Sequence, residues 1–131
     1  MENELTIGKK NIVSLINDNS LADLIKPLSH EILLFDSYVA GTSYVQDESV
    51  FDDIREGKTL ILQREPENRF DENAILVLDE KKRKLGYIPE KDNIVFARLM
   101  DAGKYLTAKV KSYAPDGAFR RINISIFLVD F

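Results

Sequence analysis

The stretch QREPENRFDENAILV, residues 63–77, decides how this chain is read. It begins inside an apolar, β-prone segment, Thr59–Arg64, and re-enters an apolar one at Ala74. Between them Glu65-Pro66-Glu67-Asn68 stops the first strand, because Pro66 has no N–H to donate into a ladder. Asp71-Glu72-Asn73 then turns the chain back. Short polar side chains populate such turns for a local reason, since they accept from backbone N–H groups a residue or two ahead. On that reading Asn68, Asp71 and Asn73 only shape the turn. The other reading has the same oxygens facing a ligand, and these residues alone leave both open.

Downstream, KLGYIPE (residues 84–90) supplies a strand over 85–88, and Lys81-Lys82-Arg83-Lys84 reads as the hairpin tip joining it to a strand over 74–79. Asp92 is placed to cap a helix over 93–102 with Val95, Leu99 and Ala102 on one face, and Gly103 provides a left-handed stop. Strands over 105–113 and 121–129 follow, joined through Asp116-Gly117. In the second, Ile122, Ile124, Ile126 and Leu128 alternate with Asn123, Ser125 and Phe127, so one face belongs to a core. Upstream, residues 33–44 form a long β-prone run. Six strands with one late helix predict a mainly β domain with some α, in which Leu60, Leu62, Leu76, Ile122, Ile124 and Ile126 share one closed interior.

Before this domain, apolar residues fall at Ile12, Leu15 and Ile16 and again at Leu21, Leu24, Ile25 and Leu28, the three-and-four spacing of helical faces. Ser20 can cap the second segment and Pro27 should limit it. The predicted organisation is a helical extension over 1–30 and a β domain over 31–131. Isolated short helices are marginal in water, so the extension is expected to pack on the domain, on a second copy or on a protein partner.

At 131 residues the chain fits one domain able to bury a core without metals or disulfides. Cys is absent, which excludes disulfides, thiolate metal sites and thiol catalysis. No apolar run reaches bilayer length, and MENELTIGKK lacks the apolar stretch of a signal peptide, so a cytoplasmic protein without membrane contact is expected. Net charge is −4, which argues against a broad basic nucleic-acid face. The charge is uneven: residues 1–60 hold 5 Lys+Arg against 11 Asp+Glu, and residues 61–131 hold the remaining 13 against 11. An anionic ligand would therefore prefer the second half.

Catalysis finds no constellation. His30 is the one histidine and has no recognisable acidic partner, and no GxxxxGK[ST] loop is present. Asp71, Glu72 and Asp52 show no metal-ligand spacing. No enzyme activity, metal or cofactor is expected.

Several elements together resemble the HIRAN domain family over residues 31–131: FDSYVAGTSY at 35–44, Gly57 before a strand, the block at 63–77, GYIP at 86–89, and the helix closed by Gly103. The resemblance is to the stand-alone bacterial-type form, and it implies a small six-stranded OB-like barrel. It also implies a module holding the 3′ end of single-stranded DNA, in a DNA repair or replication-stress setting, by stacking on terminal bases and bonding the free 3′-hydroxyl. Its motif positions fall here on Tyr44, Asn68, Phe70, Asp71, Tyr87 and Phe119. An aromatic face stacks on any base, and a carboxylate accepts from a hydroxyl donor. The family pattern is broken where Ser43 replaces an arginine, Val45 an aromatic, Phe70 a tyrosine, and Glu90 stands near a lysine position. Arg64, Arg69, Lys91, Arg120 and Arg121 are the candidates to supply phosphate contacts instead. The alternative is a protein-interaction module of the same fold that has lost the DNA pocket.

Overall fold

The computed structural model describes residues 30–116 and 119–130, so the helices expected within 1–30 lie outside the described residues. Strands β1 (His30–Tyr38), β2 (Thr59–Arg64), β3 (Ile75–Leu78), β4 (Lys84–Tyr87), β5 (Tyr105–Asp116) and β6 (Phe119–Asp130) form one sheet, with helix α1 (Glu90–Asp101) between β4 and β5. The spatial order is β1-β6-β5-β2-β3-β4, and every neighbouring pair is antiparallel.

Alternation in β6 sets the core. Ile122, Ile124 and Ile126 are fully buried, and register carries that face across the sheet through Ala108 opposite Ile126 and Leu60 opposite Ala108. On the other side of β2, Leu62 lies opposite Val77, so Ile75 and Val77 are the inward residues of β3. Leu76 is a correction: it belongs to the opposite face, beside Gln63 and Tyr87, although it too is buried. All four residues of Ile75–Leu78 are buried, so alternation of hydrophobicity could not reveal which pair points inward.

The run over 33–44 is not one strand. β1 ends at Tyr38, Gly41 takes φ 77°, and Thr42–Tyr44 form a 3-10 turn. That left-handed backbone suits glycine and breaks extension. Just before it, Ala40 and Tyr87 exchange two backbone hydrogen bonds of 2.7 and 2.9 Å. Gly86 permits this approach, because a Cβ there would collide with the Ala40 carbonyl and the Val39 side chain. The expected closed barrel is therefore corrected to an open sheet whose edges, β1 and β4, are linked, among the described residues, by this one bridge. The Gly41 turn stops the pairing before it can extend into a ladder.

Helix α1 starts earlier than expected, with Pro89 rather than Asp92 at the N-cap. Asp92 instead accepts a 2.9 Å hydrogen bond from the Ser37 hydroxyl, which ties the first turn to β1. The buried face is Asn93, Phe96 and Ala97, with Met100 packed beside them, and Phe96 meets Phe35 at 5.8 Å between ring centroids. Val95 faces outward, contrary to the face expected from apolar spacing. Gly103, at φ 92°, ends the helix as its sequence implied.

Candidate nucleic-acid interface

The loop over 65–74 is closed at its base by the Glu65 N–H donating to the Ala74 carbonyl at 3.0 Å. Inside it Asn68 acts in both directions. Its Oδ1 accepts from the N–H groups of Phe70 and Asp71 at 2.9 and 3.0 Å, and its Nδ2 donates to Glu65 Oε1 at 2.7 Å. Glu65 Oε1 also accepts from the Tyr87 hydroxyl at 2.9 Å. Asp71 Oδ1 accepts from the Asn73 N–H at 2.8 Å, and Oδ2 accepts from Asn93 Nδ2 at 2.7 Å. The turn-shaping reading of Asn68 and Asp71 is thus correct as far as it goes. Asn68 is committed to it, whereas a carboxylate has about four acceptor sites, and Asp71 retains capacity on each oxygen.

Arg64 clamps the same loop from below. Its guanidinium donates to the Ala74 and Glu72 carbonyls and forms a two-bond pair with Asp101 at 2.9 and 3.1 Å. The Arg64 hydrogen bonds hold the Asp101 carboxyl below its ordinary pKa. Arg64 is accordingly a structural tie, with four of its five N–H donors spent inside the fold.

Two aromatic rings stand out from this framework. Phe70 is 93 % exposed and Tyr44 is 86 % exposed. Neither lies on a loose backbone. Phe70 follows the Asn68 turn, and the Tyr44 N–H donates to the Gly41 carbonyl at 3.1 Å while the buried Thr42 hydroxyl donates to the Arg120 carbonyl at 3.2 Å. The two turns are joined through a short series of contacts: Ala40 bridges Tyr87, Tyr87 bonds Glu65, and Glu65 bonds Asn68. Tyr44, Tyr87, Asn68, Phe70 and Asp71 therefore belong to one connected region at the junction of the sheet edges. Phe119 begins β6 opposite Asp116, and its side chain lies outside what is described.

The cations divide. Arg120 donates to the Tyr113 hydroxyl at 2.9 Å, lies 4.7 Å from the Phe51 ring centroid and approaches Glu48 at 3.7 Å, so it packs more than it projects. Arg121 and Lys91 both sit over the Tyr38 ring, at 4.5 and 5.3 Å, and neither forms an ion pair among the described residues. Arg69 is exposed beside Phe70. Of the departures from the family pattern, Val45 packs against the core, whereas Ser43 and Glu90 are exposed.

Reading the sequence missed Asn93 and Glu65. Asn93 is buried and aims its amide at Asp71 from the inner face of α1. The signal was available: Asn93, Phe96, Ala97 and Met100 follow helical spacing, and one polar member of a buried stripe needs a partner.

The HIRAN domain family model matches residues 32–129. A crystal structure of a Lactobacillus plantarum protein superposes with TM-score 0.74 at 30% identity, covering 79% of this chain and 99% of that one. The crystal structure of the HIRAN domain of human HLTF gives TM-score 0.62 at 20% identity over 76% of this chain and 79% of that one. The NMR structure of the HLTF HIRAN domain in its DNA-bound conformation gives 0.53 at 22% identity over 74% and 78%. No curated protein matches the chain.

Proposed function

The chain belongs to the HIRAN domain family, and from that premise we propose that it binds single-stranded DNA, taking the free 3′-hydroxyl end into the region between the Gly41 turn and the 65–74 loop. The observation carrying this reading is the pair of solvent-facing rings, Tyr44 and Phe70, on hydrogen-bonded turns next to Asp71. A large aromatic ring that is almost wholly exposed contributes little to folding, and stacking on a base is worth about 1–3 kcal/mol. Asp71 lies one residue beyond Phe70 and keeps acceptor capacity for a hydroxyl proton. A terminal phosphate would instead bring negative charge toward that carboxylate.

The HLTF HIRAN domain, of the same fold, has been seen in a DNA-bound conformation, which supports the ligand class. Phosphate contacts would come from Arg69, Lys91 and Arg121, since Arg64 and Arg120 are engaged within the fold. With so few cations, affinity should fall only gently with salt. A role in DNA repair or replication stress is consistent with sensing strand ends.

The test is a titration of labelled oligonucleotides ending in a 3′-hydroxyl or a 3′-phosphate. The hydroxyl strand should bind more tightly, and Asp71→Asn should erase the difference while leaving the protein folded. Equal binding of both ends by the wild type would remove end recognition. Absence of binding to either at low salt would favour the protein-interaction alternative.

A further inference from the structure

We propose, on the premise that a 3′-hydroxyl end is the ligand, that Asn93 is the positioning residue for that end. Its amide fixes the Asp71 carboxylate from inside the fold, and with it the preference for a hydroxyl over a phosphate terminus. Asn93 is 2 % exposed, so it acts through another group and does not reach a ligand itself. Its one side-chain hydrogen bond among the described residues runs 2.7 Å from Nδ2 to Asp71 Oδ2. Asp71 Oδ1 takes the Asn73 N–H at 2.8 Å. The torsion that turns a carboxylate is intrinsically broad, and a donor on one oxygen sets it only loosely. A donor on each oxygen, one from the loop and one from α1, fixes the plane of the group and the direction of the acceptor sites it has left.

Packing alone does not call for an amide at this place. Asn93 shares its buried stripe with Phe96 and Ala97, both members of the core, and a buried amide has to be stripped of water. An apolar side chain of similar shape would fill the position as well. What it would not supply is a neutral donor. Neutrality matters, because a lysine or arginine here would hold the carboxylate as firmly but cancel the charge that turns a terminal phosphate away. The helix presenting the amide is itself held at both ends. Asp92 accepts from Ser37 in β1, and Asp101 is joined through Arg64 to the Ala74 and Glu72 carbonyls of the loop. The stacking rings are positioned separately, Phe70 by the Asn68 turn and Tyr44 by the Gly41 turn. Asn93 is therefore placed to act on end preference and not on stacking.

The test titrates the full chain with labelled single strands ending in a 3′-hydroxyl or a 3′-phosphate, for the wild type, Asn93→Leu and Asn93→Ala. Leucine keeps the shape of the buried side chain and removes the donor, and alanine repeats the test with the space left empty. Each variant should lower affinity for the hydroxyl strand about tenfold, the scale of one hydrogen bond to a charged group, and for the phosphate strand by less than about twofold. Thermal unfolding should show Asn93→Leu at least as stable as the wild type, which a purely structural role would not allow. In an Asp71→Asn background Asn93→Leu should alter neither strand, since the carboxylate it acts through is gone. A wild type that prefers the hydroxyl end while both variants keep that preference, or lose both ends equally, would overturn this inference and leave end recognition standing. A wild type that binds both ends equally would overturn end recognition and the role of Asn93 together.

Discussion

Two turns flank β3, and each opens with Asp-Glu: Asp71-Glu72 before it and Asp79-Glu80 after it. The carboxylates meet different fates. Asp79 is buried, and its Oδ1 accepts from the N–H groups of Lys81 and Arg83 at 2.9 and 2.8 Å. Its Oδ2 takes Arg83 Nε at 2.7 Å, a bond that raises the Arg83 pKa. Asp71 has the same kind of backbone partner on one oxygen, but on the other it meets the neutral amide of Asn93. A guanidinium cancels a carboxylate's charge, and an amide only orients it. One turn is closed by its aspartate, while the other holds its aspartate in place with its charge unspent. The two turns share only their Asp-Glu pair: Asp79 finds its cation four residues on, in Arg83, whereas Asp71 has no cation at that spacing and meets Asn93, which the fold brings from α1.

The largest expected effect tests that contrast through stability. Asp79→Ala should destabilise the domain by on the order of 3 kcal/mol in urea unfolding, because it strands two backbone donors and an arginine. Asp71→Asn keeps one acceptor, for the Asn73 N–H, and a flip of the Asn93 amide lets its oxygen accept from the new amide nitrogen, so the change should cost about 1 kcal/mol or less. Equal losses in the two variants would break the comparison.

A middle effect concerns binding. Phe70→Ala should weaken oligonucleotide affinity by about 1–3 kcal/mol at both kinds of end, with Tm unchanged, since the ring stacks without consulting the terminal oxygen. Lys81→Ala, at the other turn, should leave end preference untouched. Fluorescence anisotropy on the two variants separates the turns.

The smallest effect is a pH dependence beneath the first turn. Asp101 has a folded-state pKa below its ordinary value because Arg64 bonds it, so its contribution is present above the ordinary value and is lost as pH falls through the lowered one. The stability difference between the wild type and Asp101→Asn should therefore narrow on acidification below about pH 4. A gap that widened in acid would contradict the assigned pairing.

Much of the sheet could be read in advance, because β2 and β6 advertise themselves by apolar alternation between turn signals. What escaped reading depends on contacts distant in the chain. The break after Tyr38 follows from Gly41 adopting φ 77°, and the link between the edges of the open sheet rests on the two hydrogen bonds between Ala40 and Tyr87. Neither leaves a periodic trace. The face of α1 was misjudged because Asn93 is inside and Val95 outside, reversing the usual sense of polarity. Within the site, Tyr44, Phe70 and Asp71 could be picked out as residue types, but exposure and orientation could not. Phe70, which composition alone would send to a core, stands in solvent because the Asn68 turn carries it outward.

The open sheet has one further consequence, for assembly. A strand edge with free N–H and C=O groups is a template for another chain, and an endless filament requires every copy to offer two such edges. Here the β4 edge is four residues long, begins with Lys84 and already spends Tyr87 on Ala40. The β1 edge runs nine residues and carries Ile32, Leu33 and Phe35. Among the described residues that leaves one long edge per molecule, which would let two copies pair β1 against β1 and give the pair no second edge of that length with which to recruit a third.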